Sequence, residues 1–190
     1  RAGQPGRQVR QAGQALAQRV VACAYLNAQR TLAGAGQHLA GLEDGADARG
    51  DGLDLGLVYA GGIGSVNLSL DMNVTYLNKY VVSPFPGGAP IYFDGFIGGG
   101  NGGYPKWRGY GVLTAEKDGV SATWSTQWIG KATDFNAAPT QIGYRTPNVF
   151  YHNIQLAFEV DEKTRFQVGV DNLFDRKAPY IRSFTDANTD

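Results

Sequence analysis

From about residue 50 onward the chain alternates apolar and polar residues in long runs. The clearest is Val66 to Tyr76. Val66, Leu68, Leu70, Met72, Val74 and Tyr76 take one set of positions, and Asn67, Ser69, Asp71, Asn73 and Thr75 take the other. Successive side chains of a strand point to opposite faces, so this segment reads as a ribbon with one apolar and one polar side. Its length suits a tilted strand crossing a bilayer, which takes about 9–11 residues.

The same period predicts three hairpins. In the first, Leu53, Leu55, Leu57 and Tyr59 lead into a turn at Gly61-Gly62-Ile63-Gly64, and Val66 to Tyr80 returns. Pairing Tyr59 with Val66 sets Leu57 beside Leu68 and Leu55 beside Leu70, so that the apolar faces coincide. The second hairpin turns at Asp118-Gly119, a pair that favours a type I′ turn. It puts Trp107, Gly109, Gly111, Leu113 and Ala115 on the side of Val120, Ala122, Trp124, Thr126 and Trp128. The third turns near Asp161-Glu162-Lys163 and sets His152, Ile154, Leu156, Phe158 and Val160 on the side of Phe166, Val168 and Val170. Between the hairpins lie long connections, Val81–Gly103 and Ala132–Pro147, and Lys177–Asp190 begins a third. Short turns at one end and long loops at the other are the pattern of an outer-membrane β-barrel.

Residues 1–50 do not share this rhythm. They are rich in Ala, Gln, Gly and Arg and form an atypical segment, partly helical or disordered, set apart from residues 51–190. A helix is predicted over Gln8–Arg30, weakened by Gly13, and Leu42–Asp51 reads as loop. The chain start carries no signal peptide, which predicts a mature form or an internal piece of an exported protein.

Composition narrows the class. Lys+Arg and Asp+Glu both number 17, so no charge excess points to a nucleic-acid partner, and none is expected. Gly, at 27 of 190 residues, is about twice its usual share of roughly 7%, and ten Tyr, nine Phe and three Trp accompany it. Gly-rich loops and aromatic girdles of a barrel account for both together. The single cysteine, Cys23, excludes an intrachain disulfide framework. No apolar run approaches the roughly 18 residues of a membrane helix.

Two strand ends are more specific. Gly169-Val170-Asp171-Asn172-Leu173-Phe174-Asp175 resembles the stretch that closes the penultimate barrel strand of TonB-dependent outer-membrane receptors. Tyr104-Pro105-Lys106-Trp107-Arg108-Gly109 resembles the opening of an earlier strand in that family, and Tyr76-Leu77-Asn78-Lys79-Tyr80 is also similar to it. The resemblance covers roughly residues 52–190. It implies an all-β fold: an antiparallel meander of about six strands, the C-terminal portion of a 22-stranded transmembrane β-barrel. It also implies a Gram-negative outer-membrane location, lipid as a partner, a TonB complex engaged through an N-terminal plug absent from this stretch, and a small-molecule cargo. Cargoes of the family are siderophore-iron, cobalamin, haem and oligosaccharides. The pattern alone leaves two alternatives, a porin-like or autotransporter barrel and a soluble β-sandwich that binds carbohydrate.

The candidate chemistry is sparse. Phe85, Tyr92, Phe96 and Tyr104, with Phe93, lie in or beside the Gly/Pro-rich connection and are ligand-binding candidates, because aromatics on a loop can stack on a ligand; packing among themselves is the competing reading. Trp107, Trp124 and Trp128 suit an interfacial girdle. Arg108, Glu116, Glu159 and Arg165 suit a lumen wall or a transport path. Gly50-Asp51-Gly52-Leu53-Asp54 has a single copy of a calcium-repeat pattern that needs several. His38 and His152 have no ligand-spaced partner. With no nucleophile motif or acid/base pair, neither enzymatic activity, nor a metal, nor a cofactor is expected.

Overall fold

The computed structural model describes residues 21–33, 47–98 and 102–183, the first stretch by its backbone path. The described residues are all-β, with no helix among them. In chain order the long strands are β1 (Val21–Ala33), β2 (Asp47–Ile63), β3 (Val66–Ser83), β6 (Trp107–Lys117), β7 (Val120–Ile129), β10 (Val149–Asp161) and β11 (Thr164–Val170). Short pieces lie between them: β4 (Ile91–Tyr92), β5 (Phe96–Ile97), β8 (Ala132–Asp134) and β9 (Arg145–Thr146). The long strands form one antiparallel meander in chain order, β1-β2-β3-β6-β7-β10-β11, with β4 added to β3. A second sheet, β5-β8-β9, is built from the long connections.

The expected parity of the faces is present across the meander. Leu70, Leu113, Trp124, Ile154 and Val170 occupy one continuous cross-strand row, and Leu68, Ala115, Ala122, Leu156 and Val168 another. Asn67, Glu116, Ser121, Ala157 and Gln167 form a row on the opposite face. Cross-strand hydrogen bonds tie that polar face: Thr75 Oγ1 donates to Asp54 Oδ1 (2.7 Å), Thr114 and Thr123 hydroxyls meet at 3.0 Å, and Asn153 Nδ2 donates to Ser125 Oγ (3.3 Å). The apolar face has no layer over it among the described residues. Leu113 is 45%, Val168 59% and Phe166 63% exposed.

Two of the three turns fall where the sequence places them. Asp118 and Gly119 both have positive φ (49° and 76°), as a type I′ turn requires, and Glu162-Lys163 joins β10 to β11. The first hairpin differs. Ile63 pairs with Val66, so the turn is Gly64-Ser65, and Gly61–Ile63 belong to β2. Leu57 therefore faces Met72 and Leu55 faces Val74, not Leu68 and Leu70. Gly64, at φ 61°, supplies the left-handed residue that a two-residue turn needs at its first central position, and the tighter turn carries the ladder further. The displacement from the expected register is an even number of residues, so both apolar faces still coincide.

Residues 1–50 also need correction where they are described. Val21–Arg30 is not helical; it lies in β1, paired with β2 from Val21↔Ala60 to Ala33↔Ala48. Asp47–Asp51 is strand rather than loop. Edge pairing to a long neighbour supplies backbone hydrogen bonds that local propensity does not register. The rest of the predicted helix, Gln8–Val20, and Leu42–Ala46 lie outside the described residues.

A bulge at the Leu77–Asn78 step shifts the β2–β3 register. Beyond it the parity of β3 reverses. Tyr80 and Val82, opposite Gly50 and Ala48, thus move to the polar face. There Ala48, Val82 and Phe93 form a small core, flanked by Tyr80, Ile91 and Tyr104. Among the described residues this core therefore lies where the ends of β2 and β3 meet the connection after β3.

Candidate functional site: a polar cleft beneath the long connections

The long connections fold together instead of hanging free. Phe96-Ile97 pairs in parallel with Thr133-Asp134, and Ala132-Thr133 pairs with Arg145-Thr146. Asp134 is the tie point, 1% exposed. It accepts hydrogen bonds from Ser183 Oγ (2.6 Å), from the Ser183 backbone N–H and from the Asn136 N–H (3.0 Å). Burial alone would raise its carboxyl, but these bonds, with one from the Arg182 N–H, outweigh burial and hold it below the usual carboxylate range. The side chain thus joins the connection after β7 to the segment after β11.

The Pro-Lys-Trp-Arg segment gives each residue a different task. Pro105 is buried beneath the connection. Lys106 pairs with Asp94 (3.0 Å) and fixes the connection to the start of β6. Trp107 enters the apolar face beside Tyr76, ring centroids 4.6 Å apart. Arg108, next in the strand, points to the polar face and donates to the Gly103 carbonyl.

A cleft of about 620 Å³ opens on that polar face. Its floor includes Asn73 and Thr75 of β3, Arg108 and Tyr110 of β6, and Gln127 and Ile129 of β7. These belong to two adjacent rows, Asn73–Tyr110–Gln127 and Thr75–Arg108–Ile129. Ile97, Gly103 and Pro105 line it from the connection above. Arg108 is the one charged residue in the lining and makes no ion pair among the described residues. The volume lies within the roughly 300–1,000 Å³ of small-molecule sites.

The four aromatic candidates are dispersed. Phe96 and Tyr104 come together, Tyr104 N–H donating to the Phe96 carbonyl (2.8 Å). Both join the connection's own aromatic cluster, Phe96 edge-on to Phe135 at 5.7 Å and Tyr104 near Tyr80 and Phe93 at 4.7 and 6.0 Å. Tyr92 lies on the other side of the sheet under the Lys79 ammonium (5.3 Å). Phe85 sits exposed in a turn closed by the Gly88 N–H to its carbonyl (2.9 Å). The cleft is lined by other residues. Of these, sequence reasoning singled out Arg108 for the lumen wall and Trp128 for the girdle. Parity could have placed Asn73, Thr75, Tyr110 and Gln127 on one face, but not shown which end of it is roofed.

On the apolar face the three tryptophans join a longer aromatic row. Trp107 stacks toward Trp128 (6.1 Å), Trp128 toward Phe150 (6.0 Å), and Trp124 approaches His152 (5.4 Å) and Phe174 (6.1 Å). Gly109, opposite Trp128, makes room for it: a Cβ there would meet the indole at 3.1 Å. Trp124 Nε1 donates to Thr126 Oγ1 (3.0 Å), which meets His152 Nδ1 at 2.9 Å, whereas Trp128 Nε1 is buried without a partner among the described residues. Asn172-Leu173-Phe174-Asp175 is a tight turn. Asn172 has φ 49°, and its side chain accepts from the Arg176 N–H (2.9 Å) and donates to the Arg176 carbonyl (3.2 Å), while Phe174 meets His152 at 5.4 Å.

Gly50–Asp54 is ordinary β2 strand, and no group of three or more candidate metal ligands occurs among the described residues. No helix among the described residues is long and apolar enough to cross a membrane, which leaves strands open as a means of crossing. Comparisons of the chain with protein-family models, with curated proteins and with solved structures found no match.

Proposed function

We propose that this chain is part of the β-barrel of a TonB-dependent outer-membrane receptor, an importer of a scarce small-molecule nutrient rather than an enzyme. The reading rests on the uncovered apolar face. Rows running from β3 to β11 present Leu, Val, Phe and Trp side chains that no second layer covers among the described residues. A β-sandwich would bury such a face against another sheet, whereas lipid covers it in a barrel. The height agrees. The ten steps from Val66 to Tyr76 span roughly 33 Å along the strand, and a tilt of about 40° leaves about 25 Å across the membrane, the height of an outer-membrane apolar band. The aromatic row lies at the end nearest the long connections, where a girdle belongs. β1 and β11 end the sheet among the described residues, and a sheet with open edges is untenable in lipid. Further strands then complete the barrel to the 22 of the family.

The importer reading, as distinct from a passive pore, draws on the similarity of the Asn172–Asp175 turn and the Pro105–Arg108 strand start to that family. In this reading the long connections are extracellular and the three short turns periplasmic. Crosslinking the complete protein to TonB in intact cells tests it. A crosslink that strengthens when cargo is present is expected. A protein that assembles in the outer membrane and never crosslinks to TonB would be a passive barrel.

A further inference from the structure

We infer that the polar cleft is a binding site for a carboxylate-bearing, hydroxyl-rich ligand of the acidic-sugar type, with Arg108 as the residue that selects the charge. The inference rests on the reading of the polar face as the wall of a lumen. Three features of the cleft define the ligand. First, charge: Arg108 is the single charged residue of the lining, and among the described residues it donates to the Gly103 carbonyl, not to a carboxylate. A guanidinium has five N–H donors in a planar fork, so most remain for a ligand, and their geometry matches the two oxygens of a carboxylate. The nearest acidic side chain by register, Asp54, is two strands away and is occupied by the Thr75 hydroxyl.

Second, hydrogen bonding: Thr75 and Gln127 bracket Arg108 and Tyr110 from the neighbouring strands. Gln127 and the Tyr110 hydroxyl both donate and accept, and Thr75, whose hydroxyl already donates to Asp54, still accepts, so the floor can pair with hydroxyl groups of a ligand. Third, a flat surface: Tyr110 is 52% exposed between Asn73 and Gln127 in register, and its ring offers a face on which a sugar ring can lie. The roof adds apolar contact through Ile97 and Pro105. Its position is set by pairing of Ile97 with Asp134, the residue that ties the connections together.

The test uses the complete protein in detergent, assembled as judged by heat-modifiable gel mobility, with two matched probes, trigalacturonate and uncharged maltotriose. Calorimetry of the wild type should show trigalacturonate bound in the micromolar to millimolar range and at least about tenfold more tightly than maltotriose, with the difference shrinking as salt rises. Arg108→Gln should remove most of that preference, weakening trigalacturonate far more than maltotriose. Arg108→Lys should retain part of it, because an ammonium keeps the charge and loses the fork. Tyr110→Ala should weaken both probes. Equal affinity of the wild type for the two probes, no binding of trigalacturonate in the millimolar range, or an unchanged preference in an assembled Arg108→Gln variant would overturn the inference. Wild-type discrimination decides the matter even where a variant fails to assemble. TonB crosslinking separates the two readings: charge-selective binding without a crosslink retains the site and discards the importer, and a crosslink without charge selectivity does the reverse.

Discussion

At the scale of single residues, two polar side chains hold the structure at its loop end. Asn172 stands in the left-handed region and brackets Arg176 with both atoms of its amide. An alanine there loses both bonds and bears the strain of positive φ, so Asn172→Ala should cost on the order of 1–2 kcal/mol locally. Faster hydrogen exchange at Leu173 and Arg176, with β10–β11 protection retained, is the expected result. Asp134 has a sign that can be worked out. Its folded carboxyl lies below the usual range because Ser183, Asn136 and Arg182 donate to it. The unfolded value is about 3.9, so its stabilisation is fully present above that pH and is lost as pH falls through the lower, folded value. Protection of the Ser183 and Asn136 amides should therefore collapse at strongly acid pH, and in Asp134→Asn it should be lower at neutral pH and flat with acidification. Alternation in the sequence could find neither residue, since each acts across a turn or between segments far apart in the chain. The Asn-Leu-Phe-Asp similarity marked the first without giving its geometry.

At the scale of elements, the sequence carried most of the meander because period-two alternation is a local signal and the sheet obeys it. Asp118-Gly119 declared its turn chemically, and the apolar positions of β10 and β11 share a face as their alternation requires. What local pattern could not choose was between registers that differ by an even number of residues, since these keep both apolar faces together; Gly61-Gly62 and Gly64 offered two plausible turns, and the tighter one formed. This predicts a crosslinking outcome. In a Cys23→Ser background, the Leu57→Cys/Met72→Cys pair should form a disulfide on oxidation, because the two are directly opposed. Leu57→Cys/Leu68→Cys should not, because a four-residue offset separates the Cα atoms by roughly 13 Å, against a limit of about 7 Å. β1 escaped sequence reasoning because Ala- and Gln-rich segments have helical propensity, while pairing with the long β2 decides the outcome. The cleft escaped for a related reason. Its roof depends on pairing of β5 with β8, between connections about 35 residues apart in the chain.

At the scale of the whole molecule, the two faces of the meander carry different side chains. One carries Leu113, Phe158, Val168 and Val170 exposed; the other carries Asp71, Thr114, Thr123 and Gln155 and the cleft. In the proposed barrel, a lipid-facing surface with an aqueous lumen behind it would account for the exposed apolar face. It also predicts orientation. A cysteine at Ala89, in the exposed part of the connection after β3, should react with a membrane-impermeant reagent added to intact cells in a Cys23→Ser background, whereas one at Ser65 should not. The central claim, that the apolar face meets lipid, is tested most directly by spin labels placed singly along β3 of the complete protein in bilayers, from position 67 to position 75. Accessibility to oxygen, which partitions into lipid, should peak at positions 68, 70, 72 and 74, while accessibility to a polar nickel chelate should peak at 67, 69, 71, 73 and 75. Oxygen accessibility that is low at 68, 70, 72 and 74, or that shows no period of two, would mean that protein rather than lipid covers this face.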